Sequence, residues 1–288
     1  MKNKQEMISI HLAVLLFGGA GLFAKLIPMS AILVTLGRAL FSSLVLYLFI
    51  HFNQYSLRFD RLRDYFWNVI AGLLLTIHWV FFILSVQVST VYIGTLSFAT
   101  YPLFVMLLEP RLFKERFNPR YLMSLGMIGV GIAYLIPAFE LNNATTLGII
   151  YGLVSSLAYA MLGMINRRLS LKYNSVVITL YEQSVVTVLI TCFILIFKPT
   201  LGYGQGVHLV LLMIYGIVFT ALAHSLYIHG LKKVKTQIAS IISVLEPIYS
   251  IFLAIIFLHE RLAIQEVIAS VLIICAVFIA MIPEKVKG

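Results

Sequence analysis

Long apolar segments separated by short polar segments recur along the whole chain. An apolar run of roughly 20 residues is long enough to cross the hydrocarbon core of a membrane as a helix, and a helix satisfies its own backbone groups in lipid. The pattern predicts an all-α polytopic membrane protein with ten transmembrane helices. Their approximate bounds are Ile8–Ile27, Ala31–His51, Phe66–Val86, Val91–Pro110, Tyr121–Phe139, Thr146–Arg167, Ser175–Phe197, Val207–Gly230, Thr236–Leu258 and Ala263–Ile282.

The two halves of the chain repeat one arrangement of apolar helix, proline and charged turn. Pro102 is followed by Glu115-Arg116, and Pro247 is followed by Glu260-Arg261 at the same spacing. Subtracting 102 from 247, or 115 from 260, gives 145 in both cases. We therefore predict two five-helix units, residues 1–140 and 141–288. Because five crossings are an odd number, the second unit must be inverted across the membrane relative to the first, which suits alternating access.

Composition and charge agree with this class. Hydrophobic residues make up 61% of the chain and charged residues 11%, against about 25% charged residues in an ordinary soluble domain. With the N-terminus inside, the outer loops hold only Lys25, Lys198 and Arg261 of the 21 lysines and arginines. This bias predicts that both termini are cytoplasmic. The net charge of +10 then reflects loops facing the anionic inner leaflet, and we expect no nucleic-acid partner.

Several functional classes lack their motifs in this sequence. Cys192 and Cys275 lie inside apolar runs, so a disulfide framework or a thiolate metal site is not expected. The sequence has no Gly-x-Ser-x-Gly nucleophile, no His-Glu-x-x-His zinc helix and no phosphate-binding Gly-x-x-x-x-Gly-Lys loop. We expect no cofactor, no metal, no catalytic residues and no enzyme or ATP-driven pump.

The expected functional residues are polar groups placed deep in the spans, because a charge at the bilayer centre costs about 2.5–3.5 kcal/mol unless it faces the bundle interior. Glu246 lies near the middle of the ninth helix and directly precedes Pro247, which removes a backbone donor and bends the helix. Pro102 is the equivalent bend in the first half, where Tyr101 occupies the position of Glu246. The alternative for Glu246 is a structural carboxylic acid.

Two further charges lie within the second and seventh helices. Arg38 is suited to clasp a carboxylate, and Glu182 is suited to receive an amino group or a proton. Gln183, beside Glu182, is the counterpart of Arg38 at the 145-residue offset. The alternatives are that Arg38 extends outward along its stem, and that Glu182 forms a salt bridge with Arg38 or Lys172.

Trp79 and His224 form another matched pair at the same offset, and Phe82 and Tyr227 follow them after three residues. Inversion predicts an aromatic gate with Trp79 in the outer part and His224 in the inner part of the membrane, and packing between helices is the alternative. His78, His224 and Glu246 are the candidates for proton coupling, because histidine titrates near neutral pH.

Small residues and charged turns are assigned to structure. Gly18, Gly19, Gly21 and Gly163 are expected to allow close helix packing. The run Gly126, Gly129 and Gly131 in the fifth helix suits packing within the chain or the face of a homodimer. The Glu115-Arg116 and Glu260-Arg261 pairs are expected to cap or tie helices outside the substrate site.

The Pro-to-Glu-Arg spacing in both halves, the sequence Leu245-Glu246-Pro247 and the pattern Gly18-Gly19-Ala20 followed by Lys25 together resemble the EamA family of the drug/metabolite transporter superfamily. The resemblance extends over essentially the whole chain. It implies helices around a central cavity, peripheral fifth and tenth helices, and export or exchange of small polar metabolites such as amino acids. The chain departs from the family pattern at Glu109-Pro110-Arg111, where the fourth helix commonly continues apolar.

Three functional hypotheses follow. In the first, a multi-pass protein of the cytoplasmic membrane exports zwitterions whose carboxylate lies near Arg38 and whose amine lies near Glu246 or Glu182, while their side chain lies among Trp79, Tyr101 and Tyr227. In the second, the cargo is a choline-like organic cation held by aromatic rings and glutamates. The third, a membrane enzyme or sensor, lacks supporting motifs.

Overall fold

The computed structural model describes residues 4–113, 123, 126–127, 129–131, 143–200, 202, 206–243, 245–261 and 263–281. Regular secondary structure in this part of the chain is entirely helical. Most of the predicted fifth span, together with Glu115 and Arg116, lies outside the described residues.

Among the described residues of the first half, six helical segments have both ends defined. They are α1 (Lys4–Phe17), α2 (Ala20–Leu26), α3 (Ala31–Phe52), α4 (Leu62–Val88), α5 (Val91–Phe98) and α6 (Tyr101–Phe113). The second half contains α7 (Ala144–Ser170), α8 (Ser175–Phe197), α9 (Gly206–Gly216), a π-helical segment (Ile217–Leu222), α10 (Ala223–Leu231), α11 (Thr236–Ile242), α12 (Leu245–Leu258) and α13 (Ile264–Met281).

Eight helical stretches among the described residues are long and apolar enough to cross a membrane, and each matches one predicted span. α3, α4, α7 and α8 are single spans, whereas the other four stretches each join two or more of the helical segments. The tenth predicted span corresponds to α13, whose apolar stretch Val267–Ala276 is shorter than these eight.

Several helices begin at polar residues that cap them. The side chains of Asn143 and Asn174 accept hydrogen bonds from the backbone of Thr145 and Val176 at the starts of α7 and α8. Such caps satisfy the backbone N–H groups that the first helical turn leaves without partners. The turns between spans are therefore fixed by local chemistry.

The two predicted proline bends are breaks in the structure. α5 ends at Phe98 and α6 begins at Tyr101, so that Pro102 lies in the first turn of a new helix. In the second half α11 ends at Ile242, and Pro247 lies in the first turn of α12. A proline is tolerated in a first turn because its missing N–H has no partner there.

Contacts between the two halves come in matched sets. α4 packs on α7 and α1 packs on α10; α4 packs on α8 and α3 packs on α9; α5 and α6 pack on α7, while α11 and α12 pack on α1. α3 also packs on α8, and α5 packs on α12. Each set pairs helices that exchange under the 145-residue offset.

Three ion pairs join the halves at the end of the bundle that carries the start of α1. They are Glu6 with Lys233 at 2.6 Å, Asp64 with Lys172 at 3.3 Å, and Glu109 with Arg167. Glu109 is completely buried, and α6 continues through it to Phe113. The family departure at Glu109 is thus accommodated by an ion pair within a regular helix.

The bundle is apolar outside and partly polar inside. Large apolar side chains such as Leu44, Leu195 and Phe252 are exposed, as lipid contact requires. Arg38, Glu182 and other polar residues are buried. This arrangement places ionisable groups where a membrane protein can solvate them with one another.

The glycines divide into two groups. A Cβ atom at Gly18 would collide with Tyr249, and one at Gly19 with Phe219, so these glycines allow the close packing that the sequence predicts. A Cβ atom at Gly126 or Gly129 would meet no atom within 4 Å, which does not support packing within the chain as the role of these two residues.

Candidate functional site

A small cavity lies between the two halves of the chain. Its volume is about 30 Å³, which is room for about two water molecules. Residues of both halves line it: Phe17, Ala20, Arg38, His78, Trp79, Phe82, Phe98, Tyr159, Thr220, His224 and Glu246. The cavity therefore collects four of the seven predicted substrate-binding residues, Arg38, Trp79, His224 and Glu246.

Arg38 is held rigidly in the cavity wall. Its Nε donates a hydrogen bond to Thr220 Oγ1 at 3.0 Å, and its Nη1 donates to the Tyr215 hydroxyl at 2.7 Å. The guanidinium carbon lies 3.9 Å from the centre of the Trp79 ring and 4.1 Å from that of Tyr215. With 3% exposure, Arg38 does not extend outward, so that alternative is wrong.

Glu246 is placed by the break between α11 and α12. It is the second residue of α12, where the positive end of the helix dipole favours a carboxylate. The side chain is 5% exposed and lines the cavity. It forms no ion pair within 4 Å among the described residues, so its carboxyl group is available to a ligand.

Glu182 lies behind the cavity wall and pairs with His224. Glu182 Oε2 lies 2.8 Å from His224 Nε2, and both side chains are buried. The predicted alternative of a salt bridge with Arg38 or Lys172 is wrong, because Lys172 pairs with Asp64 instead. The second oxygen of Glu182, Oε1, is buried without a hydrogen-bond partner.

His78 occupies another part of the wall. Its Nδ1 lies 2.7 Å from Ser155 Oγ, and its ring packs 4.6 Å from Tyr159 and 5.0 Å from Phe98, centre to centre. A hydroxyl partner and aromatic neighbours suit a neutral imidazole. His78 is thus oriented by a serine hydroxyl, whereas the histidine with a carboxylate partner is His224.

Tyr101 and Tyr227 lie outside the cavity lining but next to it. Their hydroxyl oxygens are 3.4 Å apart, and both rings pack near Tyr159, which does line the cavity. The three phenols form a buried cluster across α6, α7 and α10. This cluster places the two predicted residues one layer behind the wall.

The predicted separation of Trp79 and His224 does not fit the structure. Their ring centres are 6.5 Å apart, whereas opposite halves of a hydrocarbon core of about 30 Å would hold them much farther apart. Both side chains line the cavity, so two residues that exchange under the 145-residue offset meet there. They form one aromatic surface, not two gates.

The charged turn that the structure describes is structural, as predicted. Glu260 Oε1 accepts a hydrogen bond from the backbone N–H of Val91 at 3.1 Å, at the start of α5. Glu260 thereby ties the two halves together away from the cavity. On the same face of the bundle, Lys25 donates to the carbonyl oxygens of Val86 and Ser89 at the end of α4.

Metal ligation has no support in the described part of the chain. No group of three or more His, Cys, Asp or Glu side chains there is arranged to hold an ion. Cys192 and Cys275 are free and exposed.

Five residues at or beside the cavity escaped the sequence reasoning: Phe17, Phe98, Tyr159, Tyr215 and Thr220. The π-helical segment positions Thr220 toward Arg38, and such segments often occur at functional sites. Nothing in the apolar pattern distinguishes these aromatic residues from ordinary packing residues. The position of Phe98 directly before a helix break was the one available signal.

Comparison with known proteins identifies the family. The sequence profile of the EamA-like transporter family matches residues 5–136 and again residues 146–282. The chain belongs to this family. An uncharacterized transporter of Archaeoglobus fulgidus is 28% identical over 201 residues, which are 69% of this chain and 70% of the relative. The uncharacterized transporter YxxF of Bacillus subtilis is 23% identical over 298 residues, covering 100% of this chain and 94% of the relative.

A solved structure agrees at the level of fold. One crystal structure of another protein superposes with a TM-score of 0.73 over 96% of this chain and 97% of that chain, at 17% identity. Family membership makes the protein a multi-pass membrane transporter, not an enzyme, with the lipid bilayer and a small-molecule substrate as its partners.

Proposed function

We propose that this EamA-like transporter is a secondary or facilitative exporter of small polar metabolites such as amino acids, working by alternating access in the cytoplasmic membrane. The paired helix breaks carry the proposal. α5 begins at Val91 and α11 begins at Thr236, 145 positions later, and both are short half-helices. Broken helices at corresponding positions of two repeats are typical of substrate sites in secondary transporters.

The packing supports two repeats, residues 1–140 and 141–288, which we propose are inverted five-helix units. The small share of lysine and arginine in the proposed outer loops supports cytoplasmic positions for both termini. The contacts between halves occur in sets that exchange under the repeat, and the family profile matches the chain twice. A pseudo-two-fold relation of this kind lets one half rock against the other around a fixed site.

The size of the cavity supports a closed state in this conformation. A volume of about 30 Å³ is too small for a metabolite, since a single water needs roughly 10–15 Å³ by the same measure. Cargo therefore enters only after the halves separate. At the end that carries the start of α1, the three ion pairs between the halves must then break.

The charges in the cavity fit a zwitterion. Arg38 supplies a fixed positive charge and Glu246 an accessible carboxyl group on opposite halves of the chain. A cargo carboxylate is assigned to Arg38 and its amine to Glu246, with its side chain against Trp79. The cargo then bridges the two halves, so its binding favours their closure.

An organic cation is the second candidate for the cargo. The contacts that hold Arg38 in the cavity wall favour it. The guanidinium of Arg38 lies against the rings of Trp79 and Tyr215 and donates to Thr220 and Tyr215, which limits its contact with cargo. Glu246 instead shares the cavity with the rings of Phe17, Phe82 and other aromatic residues. Aromatic faces attract quaternary ammonium groups by about 2 kcal/mol when desolvated.

Counterflow in liposomes tests the proposal. Purified protein is reconstituted into liposomes that are preloaded with an unlabelled amino acid, polyamine, choline or sugar phosphate, and entry of the matching labelled compound is followed. We expect counterflow with compounds that carry an amino or ammonium group, and a loss of at least about tenfold in Glu246→Gln, because a hydrogen bond to a charged group contributes about 1.5–3 kcal/mol.

Asp60→Asn is the matched control, because Asp60 is an exposed carboxylate before the start of α4 and belongs neither to the cavity lining nor to the three ion pairs. Equal counterflow in Glu246→Gln and Asp60→Asn would remove Glu246 from the site. Dependence on Arg38 for amino acids but not for choline separates the two cargo classes. The complete absence of counterflow by folded protein would contradict the proposed cargo range.

A further inference from the structure

The Glu182–His224 pair has a place in the site that cargo binding alone does not explain. Glu182 is completely buried and absent from the cavity lining, whereas His224 is part of that lining. Their contact of 2.8 Å connects a hidden carboxylate to a ring that a ligand can reach. Glu182 Oε1 has no hydrogen-bond partner, and a bare buried carboxylate oxygen is costly unless a proton neutralises the group.

The helices around His224 carry several ionisable side chains. α8 contributes Glu182, α3 contributes Arg38, α4 contributes His78, and α12 contributes Glu246. The helix of His224 itself contributes Tyr227, α7 contributes Tyr159 and α9 contributes Tyr215, all as neutral phenols, while α1 contributes the apolar ring of Phe17.

The charges of these groups sum to zero only when one proton is bound. With Glu246 ionised, its charge cancels that of Arg38, and His78 counts as neutral beside Ser155. The Glu182–His224 pair is neutral with its proton and carries one negative charge without it. A closed, nearly dry cavity disfavours a net charge, because few waters remain to solvate it. A bound cation supplies the missing positive charge as well as a proton does.

We propose that the Glu182–His224 pair is a proton-binding site whose proton leaves when a cationic cargo occupies the cavity and stays when the cargo is a zwitterion. The inference rests on the transport function proposed above. When the site opens to one solution, the imidazolium loses one proton to that solution and one monovalent cation binds. No proton moves for a zwitterion, since its net charge is zero.

Tryptophan fluorescence gives a test that needs no knowledge of the natural cargo. The chain has two tryptophans, so Trp67→Phe leaves Trp79 as the reporter, with its ring centre 6.5 Å from that of His224. Protonated imidazole quenches a nearby indole. We expect the fluorescence to fall as pH is lowered, to recover on addition of tetramethylammonium, and not to respond to alanine.

Two variants make the assignment specific. Glu182→Gln removes the carboxylate that holds the proton, so the response to tetramethylammonium is lost. His224→Asn abolishes the pH step, because its amide donates to Glu182 but cannot become a cation near neutral pH. Asp60→Asn is the control and follows the parent, because Asp60 is exposed and outside the cavity lining. A pH step unchanged in His224→Asn, a response to tetramethylammonium retained in Glu182→Gln, or equal responses to tetramethylammonium and alanine would overturn the proposal.

Proton movement in liposomes separates this inference from the transport function. With a pH-sensitive dye in the lumen of choline-free liposomes, each choline that enters is expected to remove one proton from the lumen, because the emptied site takes up a proton on that side before it returns. Glu182→Gln is expected to reduce this rise in lumenal pH to the level of protein-free liposomes. Choline entry with the same rise in lumenal pH in Glu182→Gln refutes the proton site while the transport function stands. No counterflow, with the response to tetramethylammonium still dependent on Glu182, refutes the cargo range instead.

Discussion

Arg38→Lys tests whether the shape of the cation in the cavity matters as well as its charge. The planar guanidinium contacts two ring faces, at 3.9 and 4.1 Å, and donates to Thr220 and Tyr215. A desolvated cation–π contact contributes about 2 kcal/mol, and a hydrogen bond from a charged group about 1.5–3 kcal/mol. A compact ammonium retains about one contact of each kind, so the substitution should cost roughly 3–5 kcal/mol.

This cost is measured by heating the purified protein in detergent and determining, by size-exclusion chromatography, how much folded protein remains at each temperature. We expect the unfolding midpoint to fall on the order of 10 °C. Arg168→Lys is the matched control, because its exposed guanidinium lies 5.9 Å from the Trp67 ring centre and its loss should cost no more than about 0.5 kcal/mol. Equal unfolding midpoints for Arg38→Lys, Arg168→Lys and the parent would show that the contacts of the Arg38 guanidinium do not stabilise the protein.

Three further predictions concern packing, pH and closure. Gly152→Ala should lower the unfolding midpoint, because a Cβ atom would collide with α5 and overpacking costs about 1–3 kcal/mol, whereas Gly126→Ala, which meets open space, should not. Burial and its hydrogen bond to a carboxylate raise the pKa of Tyr173 to about 12. The stability linked to this phenol is therefore complete below about pH 10 and is lost as pH rises toward 12. In an ultraviolet titration, Tyr173→Phe should therefore remove one phenol from those that ionise near pH 12 and leave the amplitude near pH 10 unchanged. Finally, an oxidised disulfide between Glu6→Cys and Lys233→Cys, in a background without the native cysteines, should stop counterflow until it is reduced, and full activity of the cross-linked protein would contradict opening at that end.

The spans and several site residues could be predicted because segments that cross a membrane are predominantly apolar, and a charged residue inside such a segment is rare. A lipid environment requires long apolar helices, and the eight candidate spans in the described part of the chain each match a predicted one. The same physics makes a charge within a span conspicuous, which is why Arg38, Glu182 and Glu246 stood out. The 145-residue offset further located both helix breaks through Pro102 and Pro247, although a break was not distinguished from a bend.

The partners of these residues could not be predicted, since they depend on which helices meet. Nothing in the sequence pairs Glu182 with His224 in preference to Arg38 or Lys172. Arg38 instead contacts Tyr215 and Thr220, which come from α9 and the π-helical segment. A change of helix pitch inside an apolar run leaves no mark in hydropathy, so these contacts were not foreseen.

The class of the protein, the eight spans found in its described residues and the burial of Arg38, Glu182 and Glu246 could therefore be predicted from the sequence. These properties follow from local composition and spacing, and each is decided by the cost of placing polar groups in lipid. Only the tertiary structure decided that Trp79 and His224 share one cavity and that Glu182 stands behind it. Such proximities arise from helix crossing angles and side-chain packing between distant segments, which no linear pattern specifies.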